Sequence, residues 1–313
     1  MRKSLLLVLA GGMALGCATD SPTATGFEPA MAVQSATQNG GRIAAIVDGI
    51  NARLEAAGSE ARLEMPWLFV RGLGVDPFGG LRTGARWVQP FISLVIDASD
   101  LTADDAGAET ALVNGYATWN GVPNANLTSI RIADDGTNFD FLDGMILDAS
   151  GQCVDVLDVT SSNLFITPGG VFFLPEANLV VGGWLGPAYF ANCLGSPAIL
   201  AITWFLSGPD QNGDGYRDML YAEQHFNDGF AWVTTGAVFL GPLQDIESVA
   251  VHENGHALGL DHFGGPINRQ PFVLKPNGRV FNPEAVMNPG YLGGEKRALF
   301  PTDLAGFLSL YAR

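Results

Sequence analysis

The spacing of three histidines constrains this chain of 313 residues more than any other feature of its sequence. Only four histidines are present, and three of them occupy positions 252, 256 and 262. Residues four apart lie one turn apart on the same face of an α-helix, so we expect His252 and His256 to project together from a helix. Gly259 permits the positive φ that ends a helix abruptly, and the resulting reversal can bring His262 to the same point.

Three imidazoles that converge in this way are a ligand set for a metal ion. Zn²⁺ is bound tetrahedrally by such nitrogens at ~2.0–2.1 Å, and three protein ligands leave the fourth position open to water. Glu253 is not needed as a ligand, so we expect it to act as general base on a zinc-activated water. Two histidines flanking a glutamate also occur in helices without a metal, but here a third histidine and a glycine complete the pattern. The fourth histidine, His225, is expected to be a strand residue with no metal role.

The segment His252-Glu-Asn-Gly-His256-Ala-Leu-Gly259-Leu-Asp-His262 resembles the motif of the metzincin zinc proteases, which also carry a later methionine turn. The resemblance implies that Met287, in Ala285-Val-Met-Asn-Pro-Gly-Tyr291, lies beneath the metal as an apolar floor without binding it. Pro289 and Tyr291 are similar to the matrixin segment that walls the pocket for the residue after the scissile bond. The similarity to bacterial matrixin-like proteins covers roughly residues 85–313.

That resemblance implies an α+β fold, in which a metzincin-like catalytic domain has a mixed twisted sheet, an active-site helix and a C-terminal helix. Three features depart from the family pattern. Asn254 replaces the customary apolar residue within the motif, which puts the local packing of the active-site helix in question. Residues 263–286 form an insertion of unknown role, and residues 18–84 contain no cysteine. Latency through a thiolate is therefore unavailable, so a propeptide over 42–70 would have to inhibit by occlusion.

The N-terminus has the pattern of an export signal. Arg2 and Lys3 precede an apolar run that is too short to span a bilayer permanently, and Cys17 follows it. The segment Ala14-Leu-Gly-Cys17 resembles a bacterial lipobox, which predicts lipidation of Cys17; ordinary cleavage and secretion is the alternative. In either case the protein is exported, as a cell-envelope lipoprotein or a secreted protein, and a lipid anchor would be its only contact with a membrane.

Two cysteines remain after Cys17 is set aside, Cys153 and Cys193. In an oxidising compartment an even remainder suggests one disulfide, and two buried free thiols are the alternative.

A second metal site is predicted over residues 210–218, which match the first nine positions of a calcium loop. Its candidate oxygen ligands are Asp210, Asn212, Asp214, the carbonyl of Tyr216, and Asp218. The twelfth position is Tyr221 rather than glutamate, so the bidentate ligand is missing. The alternative interpretation is a polar hairpin turn without an ion.

The composition indicates an acidic, folded chain in three parts. Hydrophobic residues make up 47% and charged residues 15%, which is too apolar for a disordered protein. The net charge of −16 repels phosphate backbones, so we expect no nucleic-acid partner. The parts are the signal (1–17), a tether with an N-terminal helix and strand that forms a candidate propeptide (18–84), and the catalytic domain (85–313).

Hydrophobic periodicity predicts the secondary structure. Apolar residues recur at helical spacing over 42–57, while Pro66 confines a strand over 62–70 to an edge or a bulge. The other expected helices are 104–119, 242–258 and a C-terminal helix with Leu304, Phe307, Leu308 and Tyr311 on one face. The other expected strands are 87–96, 127–133, 153–159, 171–174, 199–206 and 218–226.

Two functions are compatible with these observations. The first is a secreted or lipid-anchored zinc-dependent endopeptidase that acts as a monomer on a peptide or protein substrate. The second is a surface binding or adhesion module that retains the metal-bound fold with little turnover. The intact Glu253 favours the first, since a purely structural zinc has no use for that base.

Overall fold

A computed structural model describes most of the chain from residue 44 to residue 313. The described residues are 44–45, 47–56, 58–64, 67–71, 84–96, 107–134, 145–147, 150, 153–155, 164–167, 170–173, 177–238, 241–262, 265–266, 281–282 and 285–313. The predicted export signal and Cys17 lie outside them. Among the described helices, none has the length and apolarity needed to cross a membrane.

The described part contains five helices separated by runs of strands, with α1 formed by residues 47–56. The other helices are α2 (Ala108–Asn120), α3 (Pro187–Asn192), α4 (Ile246–Ala257) and α5 (Pro301–Tyr311). The strands are β1 (Arg62–Leu63), β2 (Trp67–Arg71), β3 (Ala85–Arg86), β4 (Phe91–Ile96), β5 (Thr128–Arg131), β6 (Met145–Leu147), β7 (Cys153–Asp155), β8 (Leu164–Thr167), β9 (Gly170–Phe173), β10 (Leu179–Leu185), β11 (Ile199–Ser207), β12 (Arg217–Asn227), β13 (Ala231–Val233), β14 (Leu243–Asp245), β15 (Gly265–Pro266), β16 (Phe281–Asn282) and β17 (Gly290–Tyr291).

One mixed sheet organises the fold, and in the described part of the chain it contains nine strands. Seven of them follow the order β17-β2-β11-β12-β10-β4-β5, with β1 also paired to β11 and β3 to β12. The strands β5, β4, β10 and β12 run parallel to one another. Strand β11 is antiparallel to both β12 and β2, and β17 is parallel to β2.

Each face of the sheet is covered by a separate hydrophobic cluster. On β11, Ala201 and Phe205 belong to the cluster that includes α2, α4 and α5, whereas Ile202 and Trp204 belong to the cluster that includes α1 and α3. Successive side chains of a strand point to opposite faces, so the sheet separates two helical layers. The histidine-bearing helix α4 therefore lies on one face of the sheet and the N-terminal helix α1 on the other.

Most of the predicted elements are confirmed, with shifted ends. Val47, Ile50 and Leu54 are buried as expected for the first helix, although Ile43 and Ile46 lie outside the described residues. Helix α2 is described from Ala108, and the predicted start at residue 104 falls outside the described part.

Two predictions about element boundaries are wrong. The active-site helix begins at Ile246 and not at residue 242, because residues 243–245 form β14 against β13 and the side chain of Asp245 caps the helix. The strand expected over 62–70 is divided into β1 and β2. Strand β2 pairs with β11 over residues 67–70 and with β17 at residues 70–71, so its end is not an edge; the alternative, a bulge at Pro66, lies outside the described residues.

Cys193 is fully buried and disulfide-bonded. The backbone of Cys153 lies in β7, but its side chain is outside the described part of the structure, so their pairing stays a prediction.

Candidate metal centre

Helix α4 is fixed at both ends by hydrogen bonds. Its own cap residue accepts one at the start, and side chains from distant parts of the chain donate to the carbonyls at its end. At the start, the Asp245 carboxylate accepts a hydrogen bond from the Ser248 backbone N–H at 2.9 Å, which satisfies one of the unpaired donors of the first turn. At the end, the carbonyl of Ala257 accepts from Trp87 Nε1 and that of Leu258 from the Tyr311 hydroxyl, both at 2.8 Å. Helix length is thus set so that the chain leaves α4 directly after His256.

The turn that follows depends on Gly259, as predicted. Its φ is +89°, and a Cβ atom on it would lie 2.6 Å from the backbone oxygen of Ala85. Both the backbone conformation and the space therefore exclude a side chain here. The turn brings His262 back beside the helix.

The structure brings the three predicted histidines together around one point. The Nε2 atoms are 3.0 Å apart between His252 and His256, 3.1 Å between His256 and His262, and 3.3 Å between His262 and His252. Tetrahedral zinc ligands at ~2.0–2.1 Å place neighbouring nitrogens about 3.3–3.4 Å apart, so the observed triangle fits a metal of that size. Among the described residues, these three form the one group of metal-binding side chains that converges. His225 is not part of it.

The opposite nitrogens of two of the rings hold them in the orientation that binding requires. His252 Nδ1 lies 2.7 Å from the carbonyl oxygen of Val286, and His256 Nδ1 lies 2.8 Å from that of Leu260. A carbonyl only accepts, so each Nδ1 carries the proton and each Nε2 lone pair faces the shared centre. Burial, followed by the charge of His262, lowers the pKa of His252 well below its usual value, which also favours the neutral ligand form.

Glu253 follows His252 on α4, is fully buried and is not one of the three converging ligands. Its Oε2 accepts a hydrogen bond from the hydroxyl of Thr203 on β11, and its Oε1 accepts none from any residue that the structure describes. Burial raises the pKa of Glu253 to about 8, although the Thr203 hydrogen bond lowers it. A carboxyl group with one fixed and one open oxygen is arranged to take up a proton.

Thr203 should therefore influence the protonation of Glu253. We expect Thr203→Val, which keeps the side-chain shape and removes the hydroxyl, to raise the pKa of Glu253 further, because the lost hydrogen bond favours the charged carboxylate. The three histidines should keep their arrangement, because Thr203 is not among them. Titration of Glu253 by NMR in the metal-free chain checks this, and an unchanged or lower pKa would contradict the role of Thr203.

Met287 packs against α4 at Gly255, and its role as an apolar floor beneath a metal stays a prediction. It is fully buried, and a Cβ atom on Gly255 would lie 2.2 Å from its sulfur. Gly255 stands between the two helical histidines, so the absence of a side chain there lets Met287 approach the helix.

Asp303 of α5 holds the Met287 turn in place. Its two carboxylate oxygens accept hydrogen bonds from the backbone N–H groups of Val286 at 2.9 Å and Met287 at 3.1 Å. The carbonyl of Val286 in turn faces His252, so one buried carboxylate connects the C-terminal helix with the orientation of a ligand. Burial raises the pKa of Asp303, against the lowering effect of its backbone donors.

The two residues predicted to wall a substrate pocket, Pro289 and Tyr291, are both buried. The Tyr291 hydroxyl donates to the carbonyl of Gly294 and accepts from the N–H of Asp245 at 3.3 Å. Arg297 Nε donates a hydrogen bond to the carboxylate of Asp245 at 2.9 Å. The segment after the methionine is thus attached to the start of α4.

Asn254, the departure from the family motif, is buried against α2. Its Nδ2 lies 2.8 Å from the position of a Cβ on Gly115, so the missing side chain of that glycine makes room for the amide. Neither polar atom of the Asn254 amide has a hydrogen-bond partner among the described residues.

The predicted calcium loop is exposed, and its side chains bind the loop itself. Asp210 accepts hydrogen bonds from the backbone N–H groups of residues 213, 214 and 215. Asn212 accepts from the N–H of Asp214, whose own carboxylate accepts from Tyr216 and forms an ion pair with Arg86. These bonds account for the loop as a polar turn, and calcium binding by Asp210, Asn212, Asp214, Tyr216 and Asp218 stays a prediction.

Comparison with known proteins does not extend this description: no family model matches the chain, and no curated protein is detectably similar to it. The site therefore rests on its own geometry. Sequence reasoning missed the roles of Thr203 and Asp303. Asp303 follows Pro301 in the first turn of a helix, a pattern that signals a cap but not a contact with the Met287 turn, whereas Thr203 lies in an apolar strand with no signal of its own.

Proposed function

We propose that this chain is an exported, zinc-dependent endopeptidase. The observation that carries the proposal is the triangle of Nε2 atoms from His252, His256 and His262. A structural zinc site is closed by four protein ligands, whereas three leave a position for chemistry. The buried Glu253, next to His252 in sequence, supports the proposal, because one of its carboxylate oxygens accepts no hydrogen bond from the described residues.

Each residue has a distinct part in this proposal. The histidines would hold the ion, which supplies Lewis-acid activation of water for hydrolysis. Glu253 takes the proton from the attacking water and passes it to the leaving nitrogen of the peptide. Thr203 keeps the Glu253 carboxylate oriented from the sheet, and Asp303 keeps His252 oriented through the Met287 turn. His262 is only half-buried, so the centre opens toward solvent on that side.

Removal of the metal tests the proposal. The purified chain should bind one zinc ion, and a chelator should abolish cleavage of an unstructured protein until zinc is restored. Zinc at 1,000 times its Kd should also raise the free energy of unfolding by ~4 kcal/mol, because it binds only the folded chain.

A matched pair of histidine variants completes this test. His256→Ala should lose the zinc, the turnover and the stabilisation by zinc, whereas His225→Gln should keep the zinc, since His225 lies on β12 outside the cluster. Turnover that survives the chelator in the parent chain would refute the proposed function. Stoichiometric zinc without any turnover would instead favour the binding or adhesion module.

A further inference from the structure

The outer edge of β11 is covered by the N-terminal part of the same chain. Strand β2 runs antiparallel to β11, with Trp67 opposite Thr203 and Val70 opposite Ile199. Strand β1 continues the cover, with Leu63 opposite Leu206. Backbone groups that an edge strand would otherwise offer to another chain are thus already paired.

Strand β2 is also paired on its other side. It runs parallel to β17, with Val70 opposite Gly290 and Arg71 opposite Tyr291. The C-terminal end of β2 thus lies between β11 and the strand that follows the Met287 turn, and β2 contacts α4 as well.

The ends of this groove are defined by residues of the candidate site. Thr203, opposite one end of β2, binds the Glu253 carboxylate. Tyr291, opposite the other end, lies in the predicted pocket wall. Residues 67–71 therefore run from the strand that holds the proposed base to the proposed substrate pocket.

We propose that residues 67–71 are an autoinhibitory strap, which occupies the groove between β11 and β17 where an extended peptide would bind. This inference rests on the proposed function and concerns its regulation. Pairing through backbone groups does not depend on the identity of the side chains, so a peptide of another sequence can replace the strap by adding the same strand. The strap also fixes the direction of that peptide, antiparallel to β11 and parallel to β17.

The strap is held in place by its attachment to the opposite face of the sheet. Asn51 of α1 makes two hydrogen bonds with the backbone of Leu63, at 2.8 and 2.9 Å. The apolar face of α1 is buried in the cluster on the side away from α4, and Glu64 forms an ion pair with Arg217 at 3.3 Å. An anchored segment competes at a high effective concentration, so occlusion needs no covalent or metal-binding contact.

The test compares full-length, zinc-loaded chains with and without a disrupted strap. Phe69→Pro removes a backbone donor in the middle of β2, opposite Ala201, where the fixed φ and missing N–H of proline disfavour pairing with β11. Glu60→Pro is the matched control, because it lies outside β2 and its N–H donates to none of the described residues. Binding is measured in a Glu253→Gln background by fluorescence anisotropy of a labelled peptide with the sequence of residues 62–76, and turnover is measured in the Glu253 background.

We expect Phe69→Pro to bind the peptide at least tenfold more tightly and to cleave an unstructured protein at least tenfold faster. Amides of β11 should also exchange hydrogen at least tenfold faster, whereas Glu60→Pro should match the parent in all three measurements. Faster exchange in β11 with unchanged peptide affinity and unchanged turnover would overturn the strap. Tighter peptide binding without turnover in any variant would uphold the strap and refute the peptidase.

A second variant covers the case in which Phe69→Pro loses its zinc. Phe69→Cys combined with Ala201→Cys places cysteines at directly opposed positions, where a disulfide can lock the strap. Peptide binding should be lost in the oxidised form and return on reduction, with the parent chain in the same reductant as control. Equal binding by the two forms would overturn the proposal.

Discussion

Glu253→Gln is expected to lower kcat/KM for peptide cleavage by ~10²–10⁴-fold, the usual contribution of a general base. Glutamine keeps the size of the side chain and can still accept a hydrogen bond from Thr203, so the buried site loses only the group that takes up the proton. Zinc content should stay at that of the parent chain, because Glu253 is not one of the three converging ligands.

Glu247→Gln is the matched control for this substitution. Glu247 lies in the first turn of the same helix, and its closest charged partner is Arg297 at 3.5 Å. The control should keep kcat/KM within about twofold of the parent, since exposed or half-exposed ion pairs contribute little. A Glu253→Gln chain that retains zinc and full turnover would show that hydrolysis, if present, uses another base.

Gly255→Ala is expected to weaken metal binding through a steric clash with Met287. The added Cβ would meet the Met287 sulfur at 2.2 Å and a carbon of Trp119 at 3.0 Å, so either the methionine or the helix must shift. Overpacking of a buried site typically costs ~1–3 kcal/mol. Since Gly255 stands between His252 and His256, we also expect zinc affinity to fall by at least tenfold.

Gly49→Ala separates this effect from the general effect of alanine in a helix. Gly49 lies in α1, and nothing lies within 4 Å of the position of its Cβ. Replacement of an exposed helical glycine by alanine should raise the free energy of unfolding by ~0.5–1 kcal/mol and leave zinc binding unchanged. Chemical denaturation and zinc titration measure both quantities. An equal loss of stability in the two variants would show that contact with Met287 is not the cause.

The sequence predicted the core of the site because its signals are local. The four-residue spacing of two histidines fixes their common face on a helix, and Gly259 adopts the positive φ that its residue type permits. The buried faces of α1 and α2 also follow from periodicity alone. In each case neighbours along the chain determine the geometry, so no knowledge of the tertiary fold is needed.

Predictions failed where distant segments compete for the same residues. Pro242 suits the first turn of a helix, but residues 243–245 pair with β13, and Asp245 then becomes the cap. Pro66 confines the strand over 62–70 to an edge or a bulge, yet β17 pairs with residues 70–71 on its outer side. Strand pairing joins residues far apart in sequence, and no local pattern reports the partner.

The same distinction divides the candidate site. The sequence by itself determined which residues can bind a metal, that two lie on one helical face, and that a glycine turn returns the third. Only the tertiary structure decided that Thr203 binds the carboxylate of Glu253, that Asp303 holds the Met287 turn, and that residues 67–71 pair with β11 and β17. Those contacts join residues from 16 to 220 positions apart along the chain, so they exist only once the sheet and its two helical layers have assembled.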